Sequence, residues 1–454
     1  MEKKPYEVLL DRIQNADNVT PGNKAGLTDF LTYEHPGDVL FTKWDYPQII
    51  ERGKGNRIWD VDGKEYIDCI SGMSAMNLGH AEKRIADAMY DQYMNKLDFW
   101  FDFPTPERLK LVKRLCDITP GDFPKRVRLA LSGSDAIENA IRLARYATKR
   151  QHIISFYGAY HGQNTATMGL TGSGRMTSYY NPMPAQDNCL HQFPYPYDYR
   201  NPYGDEDGIE CARRCVKVID EMMSTGVTPL GAPDAGICNV AALIVEPCQS
   251  SAGYIIPPEG FLTELRKLAD KYGFLLIFDE VQTGMGRTGY LFAHQMYGVE
   301  PDIFTSAKAL GGGIPIGAVC AGKKVASAFE PGDHGTTFGG NPFATAAGLA
   351  VFDIFEKEHL VENAGKMGKY FKEKLTELQN KYSDKITDVR NAGLLIGIQL
   401  EDSIAKTVFN KLFENKMLTS LCGGNTIRIA PPLIIKETDI NIFIDTLNNI
   451  LEEL

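Results

Sequence analysis

Short apolar runs of strand length, alternating with segments of helical period, constrain this chain more than any other feature of its sequence. Residues 127–131, His152–Phe156, 242–245, 275–278 and 303–305 are each three to five residues long and rich in Val, Ile, Leu and Phe. Between them, 135–149 carries apolar Ile137, Ile141, Leu143 and Ala144 at helical spacing, and 258–272 has the same character. Strands alternating with helices predict a mostly parallel sheet covered on both faces, an α/β fold. None of these runs approaches the ~20 apolar residues needed to cross a bilayer.

The rest of the chain is less regular. Residues 1–50 hold turn formers and little periodicity, and read as a leading arm. Residues 57–60 and 66–70 read as two strands around Val61-Asp62-Gly63-Lys64, an Asp-Gly hairpin signal. Residues 170–210 are rich in Gly, Pro, Tyr and Asn and read as a long ordered loop. Beyond 345 the pattern turns helical, and 391–400 and 426–429 supply strands of a smaller α+β domain. The expected division is 1–65 for the arm and part of the small domain, 66–335 for the large domain, and 336–454 for the C-terminal small domain.

Composition narrows the partners. The chain has 43% apolar and 23% charged residues, enough to bury a core, and a net charge of −10. An acidic balance argues against nucleic acid or an anionic membrane as the main partner. The nine cysteines have no repeated spacing, and the first residues lack the apolar core of a signal peptide. The expectation is a cytoplasmic protein with reduced thiols and no bound metal.

Three features fall at ends of expected strands, where open α/β sheets bind ligands. Leu131-Ser132-Gly133-Ser134-Asp135 joins a strand to a helix, where free N–H groups receive anions; a tight turn with a Ser or Asp cap explains it as well. Asp279 and Glu280 follow the apolar run 274–278, a costly place for carboxylates unless something pairs with them; the readings are a structural ion pair or an anion that holds a ligand cation. Lys308 sits among small and apolar residues before Gly311-Gly312-Gly313, a setting that lowers a lysine's pKa as Schiff-base chemistry requires. Taken together the three suit pyridoxal 5′-phosphate (PLP), which has a phosphate, an aldehyde and a pyridine nitrogen.

The motifs Ser132-Gly-Ser, Tyr160-His161-Gly162, Val245-Glu246-Pro247, Asp279-Glu280-Val281-Gln282-Thr283-Gly284, Ser306-Ala-Lys308, the 335–342 segment and Arg428 before Ala430-Pro431-Pro432 occur in one order. In this the chain resembles the class III (ornithine/4-aminobutyrate type) aminotransferases of PLP fold type I, from about residue 35 to the C-terminus. The resemblance implies a large domain with a mostly parallel seven-stranded sheet plus a small α+β domain. It implies Lys308 as the lysine bonded to the cofactor and the proton carrier, and Asp279 against the pyridine nitrogen. Gln282 is expected near the phenolic oxygen, Gly133 and Ser134 at the phosphate, and Tyr160 stacked on the ring. Thr337 is expected to reach the neighbouring subunit's phosphate, which implies a homodimer with shared sites, with a tetramer as a further step. Arg428 is expected to fork onto a substrate carboxylate. Glu246 and His161 are expected behind the groups that touch the cofactor, and Trp44 either lines the substrate pocket or belongs to the core.

The activity the resemblance implies is ping-pong transamination. The donor is an ω-amino acid or related primary amine such as 4-aminobutyrate, β-alanine, taurine or a diamine. The acceptor is a 2-oxo acid, 2-oxoglutarate or pyruvate. One departure bears on this. Many relatives that use 2-oxoglutarate carry a glutamate that covers the arginine, where this chain has Ser251. Racemases and epimerases of the same family share the 132–136 segment and the Pro194-Tyr-Pro loop, yet tend to be acidic at the Ser251 position. A racemase or epimerase is therefore the alternative, a decarboxylase of dialkyl amino acids comes third, and a non-catalytic relative would have lost Lys308 or Asp279.

Overall fold

The structure is a computed structural model that describes residues 5–34, 47–119, 121, 124–172, 189–204 and 207–454. Trp44 lies outside the described residues. Seven strands form the central sheet, in the order Lys125–Ala130, Gly317–Gly322, Ile303–Ser306, Leu275–Asp279, Val240–Val245, His152–Phe156 and Leu190–Phe193. Gly317–Gly322 runs antiparallel to both neighbours, and the other pairings are parallel.

Both faces of this sheet are covered, which explains the continuous apolar runs. Side chains alternate between two cores. Ile153, Ala242, Ile244, Ile277 and Ile303 point to one, together with Ala136, Ile137, Ala140 and Ile141 of the helix Gly133–Thr148. Ile154, Leu243, Val245, Leu276, Phe278 and Phe304 point to the other, where the helices Gly208–Ser224 and Phe261–Tyr272 pack. Phe156, Tyr195 and Phe261 meet edge to face beneath it, with centroids 5.2–5.7 Å apart.

The smaller part is built on the antiparallel sheet Ile386–Ala392, Leu395–Leu400, Thr426–Ile429 and Ser420–Cys422, flanked by Leu360–Lys381, Asp402–Glu414 and Glu437–Glu452. A further sheet joins Ile50–Lys54, Arg57–Asp60 and Glu65–Asp68 to Met417–Leu418. The last pairing is parallel, so chain near the start is held by chain near the end.

Four expectations change. The leading arm contains two helices, Pro5–Gln14 and Pro21–Tyr33. The second begins on Asp62 of the hairpin turn, which accepts from the backbone of Gly22 and Asn23 at 3.1 and 3.0 Å; a cap supplied from 40 residues away leaves no local signal. The hairpin is extended by a third strand, Ile50–Lys54. Segment 391–400 is the far half of a second hairpin that turns at Gly393, φ 55. A Cβ there would lie 2.4 Å from the backbone of Thr288, so only glycine fits. The 170–210 segment includes the edge strand Leu190–Phe193. Among the described residues no helix is long and apolar enough to cross a membrane, and no group of three metal-ligating side chains converges.

Candidate active site

Strand ends position the site. Asp279 is the last residue of Leu275–Asp279, the parallel strand between Val240–Val245 and Ile303–Ser306. Its side chain is 4% exposed. Nδ1 of His161 stands 2.7 Å from Asp279 Oδ2, and the backbone N–H of Val281 donates to Oδ1 at 3.0 Å. Glu280, next in sequence, turns the other way. It accepts from the backbones of Ala293 and His294 and from Thr283, and is the structural carboxylate of the pair.

Lys308 follows Ile303–Ser306 and opens a short turn, with its backbone at φ 45. Its amine donates to Gln282 Oε1 at 2.5 Å. No carboxylate lies within ion-pair distance of it among the described residues. Burial pulls its pKa below the ordinary lysine value, with Asp279 and Glu246 opposing. An amine whose pKa is lowered is neutral over more of the pH range, and the neutral form is the one that can attack a carbonyl or take up a proton.

Glu246 follows Val240–Val245. It accepts from the Tyr160 backbone at 2.9 Å and from the backbone and hydroxyl of Ser250 at 3.0 and 2.6 Å. Burial raises its pKa, and the charge of His161 works against that rise.

The Ser132-Gly-Ser turn is a close-packed cradle. Ser132 caps the helix Gly133–Thr148 by accepting from Asp135 N, and Asp135 accepts in return from Leu131 N at 2.8 Å. The first N–H groups of the helix are left free of intrahelical partners. A Cβ on Gly133 would come within 2.8 Å of Val281, and one on Gly162, at φ 121, within 2.2 Å of Ser134 Oγ. The two turns meet with no room for a side chain between them.

A cavity of ≈ 170 Å³ has Gly133, Ser134, Tyr160, Asp279, Gln282 and Lys308 in its wall. Six of the sequence-derived positions are thus brought together. Tyr160 is partly exposed and its hydroxyl accepts from Gln163 at 3.2 Å. Arg428 is buried outside this wall, on the strand Thr426–Ile429. It donates to Ser250 O at 3.0 Å and Ser420 Oγ at 2.9 Å, while its Nε has no partner. Among the described residues no carboxylate pairs with it. Thr337 is exposed and stands apart from the cavity.

Sequence reading missed Ser74, Tyr254 and Ser420. Ser74 accepts from Gln282 Nε2, Tyr254 lies between Gln282 and Arg428, and Ser420 accepts from Arg428. Nothing in their spacing marks them, since each is a single residue inside an apolar or turn segment.

The donor set fits PLP. Free N–H groups at a glycine turn suit a phosphate, a carboxylate suits a protonated pyridine nitrogen, and a buried amine of lowered pKa suits an aldehyde. All three open on one cavity.

Comparison with known proteins agrees. Residues 41–451 match the family Aminotransferase class-III. The chain is 40% identical over 416 residues to an acetylornithine aminotransferase of Methanothermobacter thermautotrophicus, covering 92% of this chain and 97% of that one. It is 34% identical over 418 residues to a leucine/methionine racemase of Thermococcus litoralis, covering 90% and 91%. An amine transaminase from an uncultivated Pseudomonas species, solved with PLP bound, superposes with a TM-score of 0.82 at 29% identity, covering 93% of this chain and 98% of that one. Motif order, cavity and comparisons converge: the chain belongs to the class-III aminotransferase family and is a PLP-dependent transaminase of fold type I.

Proposed function

We propose that the protein moves an amino group from an ω-amino acid or related primary amine to a 2-oxo acid, 2-oxoglutarate or pyruvate, in two half-reactions that share one site. The observation that carries this reading is Arg428, a buried guanidinium with no carboxylate partner among the described residues, beside a cavity walled by Lys308 and Asp279.

When bound, PLP supplies an aldehyde that bonds to primary amines and a pyridine ring that accepts the electron pair left at the donor's Cα. Lys308 would hold it through its amine, and the free Nζ would carry the proton taken from Cα. Asp279 would keep a proton on the ring nitrogen, with His161 and Val281 N holding the carboxylate in place. Gly133 and Ser134 would offer N–H groups to the phosphate, Tyr160 would hold the ring, and Gln282 would serve the phenolic oxygen. Arg428 receives the carboxylate of the oxo acid. With Ser251 in place of an acidic gate, nothing of opposite charge need be displaced first.

A homodimer belongs to the same reading, with Thr337 reaching the neighbouring phosphate. Tyr90, Tyr93, Trp100, Phe101, Phe103 and Phe338 are all more than half exposed. Two pairs of aromatics touch there, Phe99 with Phe338 at 5.2 Å and Trp100 with Phe103 at 6.0 Å. An apolar groove lined by Ile85, Met89, Tyr90 and Phe343 runs along the helix Lys83–Asn95, which also carries Tyr93. Surface of this kind supports self-association. The domain division at 65/66 and 335/336 and a cytoplasmic location are part of this proposal; every strand of the central sheet falls between 125 and 322.

Racemisation is the competing reading, supported by the 34% identity to a leucine/methionine racemase. A matrix of amine donors against oxo acids, with deuterium exchange at Cα followed in parallel, separates the two. Amino transfer to an oxo acid is expected. Exchange and inversion at Cα with no oxo product from any pair would overturn the proposal.

A further inference from the structure

Tyr254 closes the loop that leaves Glu246. Its side chain is 0% exposed, and its backbone sits at φ 56, a left-handed conformation that disfavours any residue with a Cβ and a bulky one most. Strain of this sort persists where the surroundings over-determine it, and it gathers at functional sites. Here the N–H groups of Gly253 and Tyr254 turn onto Ser250 O at 3.3 and 3.4 Å. The same carbonyl accepts from Arg428 at 3.0 Å. Gly253 O is held from the other side by Arg390 Nε at 2.9 Å.

The phenol so placed touches both ends of the site. The Arg428 guanidinium lies 5.4 Å from the centre of its ring, within cation–π reach. Its hydroxyl accepts from Gln282 Nε2 at 3.4 Å, and the same Nε2 donates to Ser74 Oγ at 2.6 Å. The far end of that amide accepts from the Lys308 amine. Ser74 lies in a second strained turn, Ser71–Ser74, whose four residues all have positive φ. Burial raises the pKa of the Tyr254 phenol, with Arg428 opposing.

We propose that Tyr254 is a positioning residue that joins the two ends of the substrate site: its ring sets the plane of Arg428, and its hydroxyl, with Ser74, fixes the Gln282 amide against the Lys308 amine. This rests on the roles given to Arg428 and Lys308 under the proposed function. The two contacts use different parts of one side chain, so substitution separates them.

The test uses the cofactor-loaded enzyme with Tyr254→Phe, Tyr254→Leu, Ser74→Ala and, as reference, Arg428→Ala. Tyr254→Phe keeps the ring and loses one hydrogen bond. It is expected to lower kcat about 3- to 10-fold with KM for the oxo acid changed less than about twofold. It is also expected to displace the pH midpoint of the visible cofactor band, and Ser74→Ala is expected to do the same. Tyr254→Leu is expected to add a rise of about 5- to 30-fold in KM for the oxo acid, with none for an aldehyde that lacks a carboxylate. Tyr254→Phe matching the unaltered enzyme in both kcat and band midpoint would overturn the hydroxyl role. Equal oxo-acid KM values for the Leu and Phe variants would overturn the ring role. If Arg428→Ala leaves that KM unchanged, the carboxylate assignment itself falls and takes the ring role with it; the band shift in Tyr254→Phe still decides the hydroxyl role. The Phe variant preserves volume, so it remains decisive if the Leu variant folds poorly.

Discussion

His161 and Asp279 form a pair closed off from solvent, with Nδ1 2.7 Å from Oδ2 and side chains 0% and 4% exposed. Removing one member of such a pair strands the other. His161→Ala is expected to cost about 1–3 kcal/mol of transition-state stabilisation, roughly 5- to 150-fold in kcat, because a buried acceptor loses its partner. His161→Asn, which can still donate, is expected to recover part of it. Stopped-flow half-reactions with amine alone check both; an alanine variant with unaltered rate would refute the pairing's role.

Arg428 has two neutral acceptors and, among the described residues, no acid. Arg428→Ala is expected to raise KM for 2-oxo acids by about 10- to 150-fold, the worth of a charge-assisted contact. An aldehyde acceptor of similar length should change little. Steady-state kinetics with matched oxo acid and aldehyde pairs read the difference, and equal losses would remove the carboxylate role.

The pKa of Lys308 is lowered from 10.5, chiefly by burial. In cofactor-free enzyme its labelling by an amine-selective reagent is therefore expected to titrate below that value, and peptide mapping across a pH series measures it. The sign for stability follows by linkage. The unfolded chain binds this proton more tightly than the folded one, so this group's contribution to stability rises with pH across the window between its folded pKa and 10.5. Lys308→Met should flatten that slope in denaturant unfolding of the cofactor-free protein.

Gly162 stands at φ 121 with Ser134 in the place a Cβ would take. Gly162→Ala is expected to push the two turns of the phosphate cradle apart and to weaken PLP binding by about 10-fold or more, the overpacking cost of ~1–3 kcal/mol. Equilibrium dialysis measures it. Gly298→Ala, at a turn where an added Cβ meets nothing, is the control for the strain of positive φ alone.

Much of the large sheet was legible because its strands are buried on both faces and read as unbroken apolar runs. Leu275–Asp279 and His152–Phe156 emerge within a residue of their expected limits. Gly317–Gly322 was not read, since Gly, Ala and Cys carry weak strand preference and its place between two other strands is purely tertiary. The N-terminal helices were hidden for a related reason: their apolar contacts, Ile13, Val19, Leu27 and Leu31, bury mainly against one another. At the site, residues at strand ends were visible because a charge after an apolar strand is conspicuous. Ser74 and Tyr254 were not, because their roles come from backbone strain and neighbours some 200 and 30 residues away, as in the Ser74–Gln282 bond with 208 residues between partners and the Tyr254–Gln282 bond with 28.

Arg287 shows what the deep hairpin at Gly393 is for. This guanidinium is fully buried, and burial lowers its pKa to about 10. It donates to the carbonyls of Leu394 and Pro431, to Ser71 and to Asn77. Leu394 in turn sends its backbone N–H to Arg287 O at 3.0 Å. One cation therefore rivets the wall that bears Gln282 to the lobe that bears Arg428. Parting them would leave a charge stranded in the interior, so this cation opposes any motion that draws the two lobes apart.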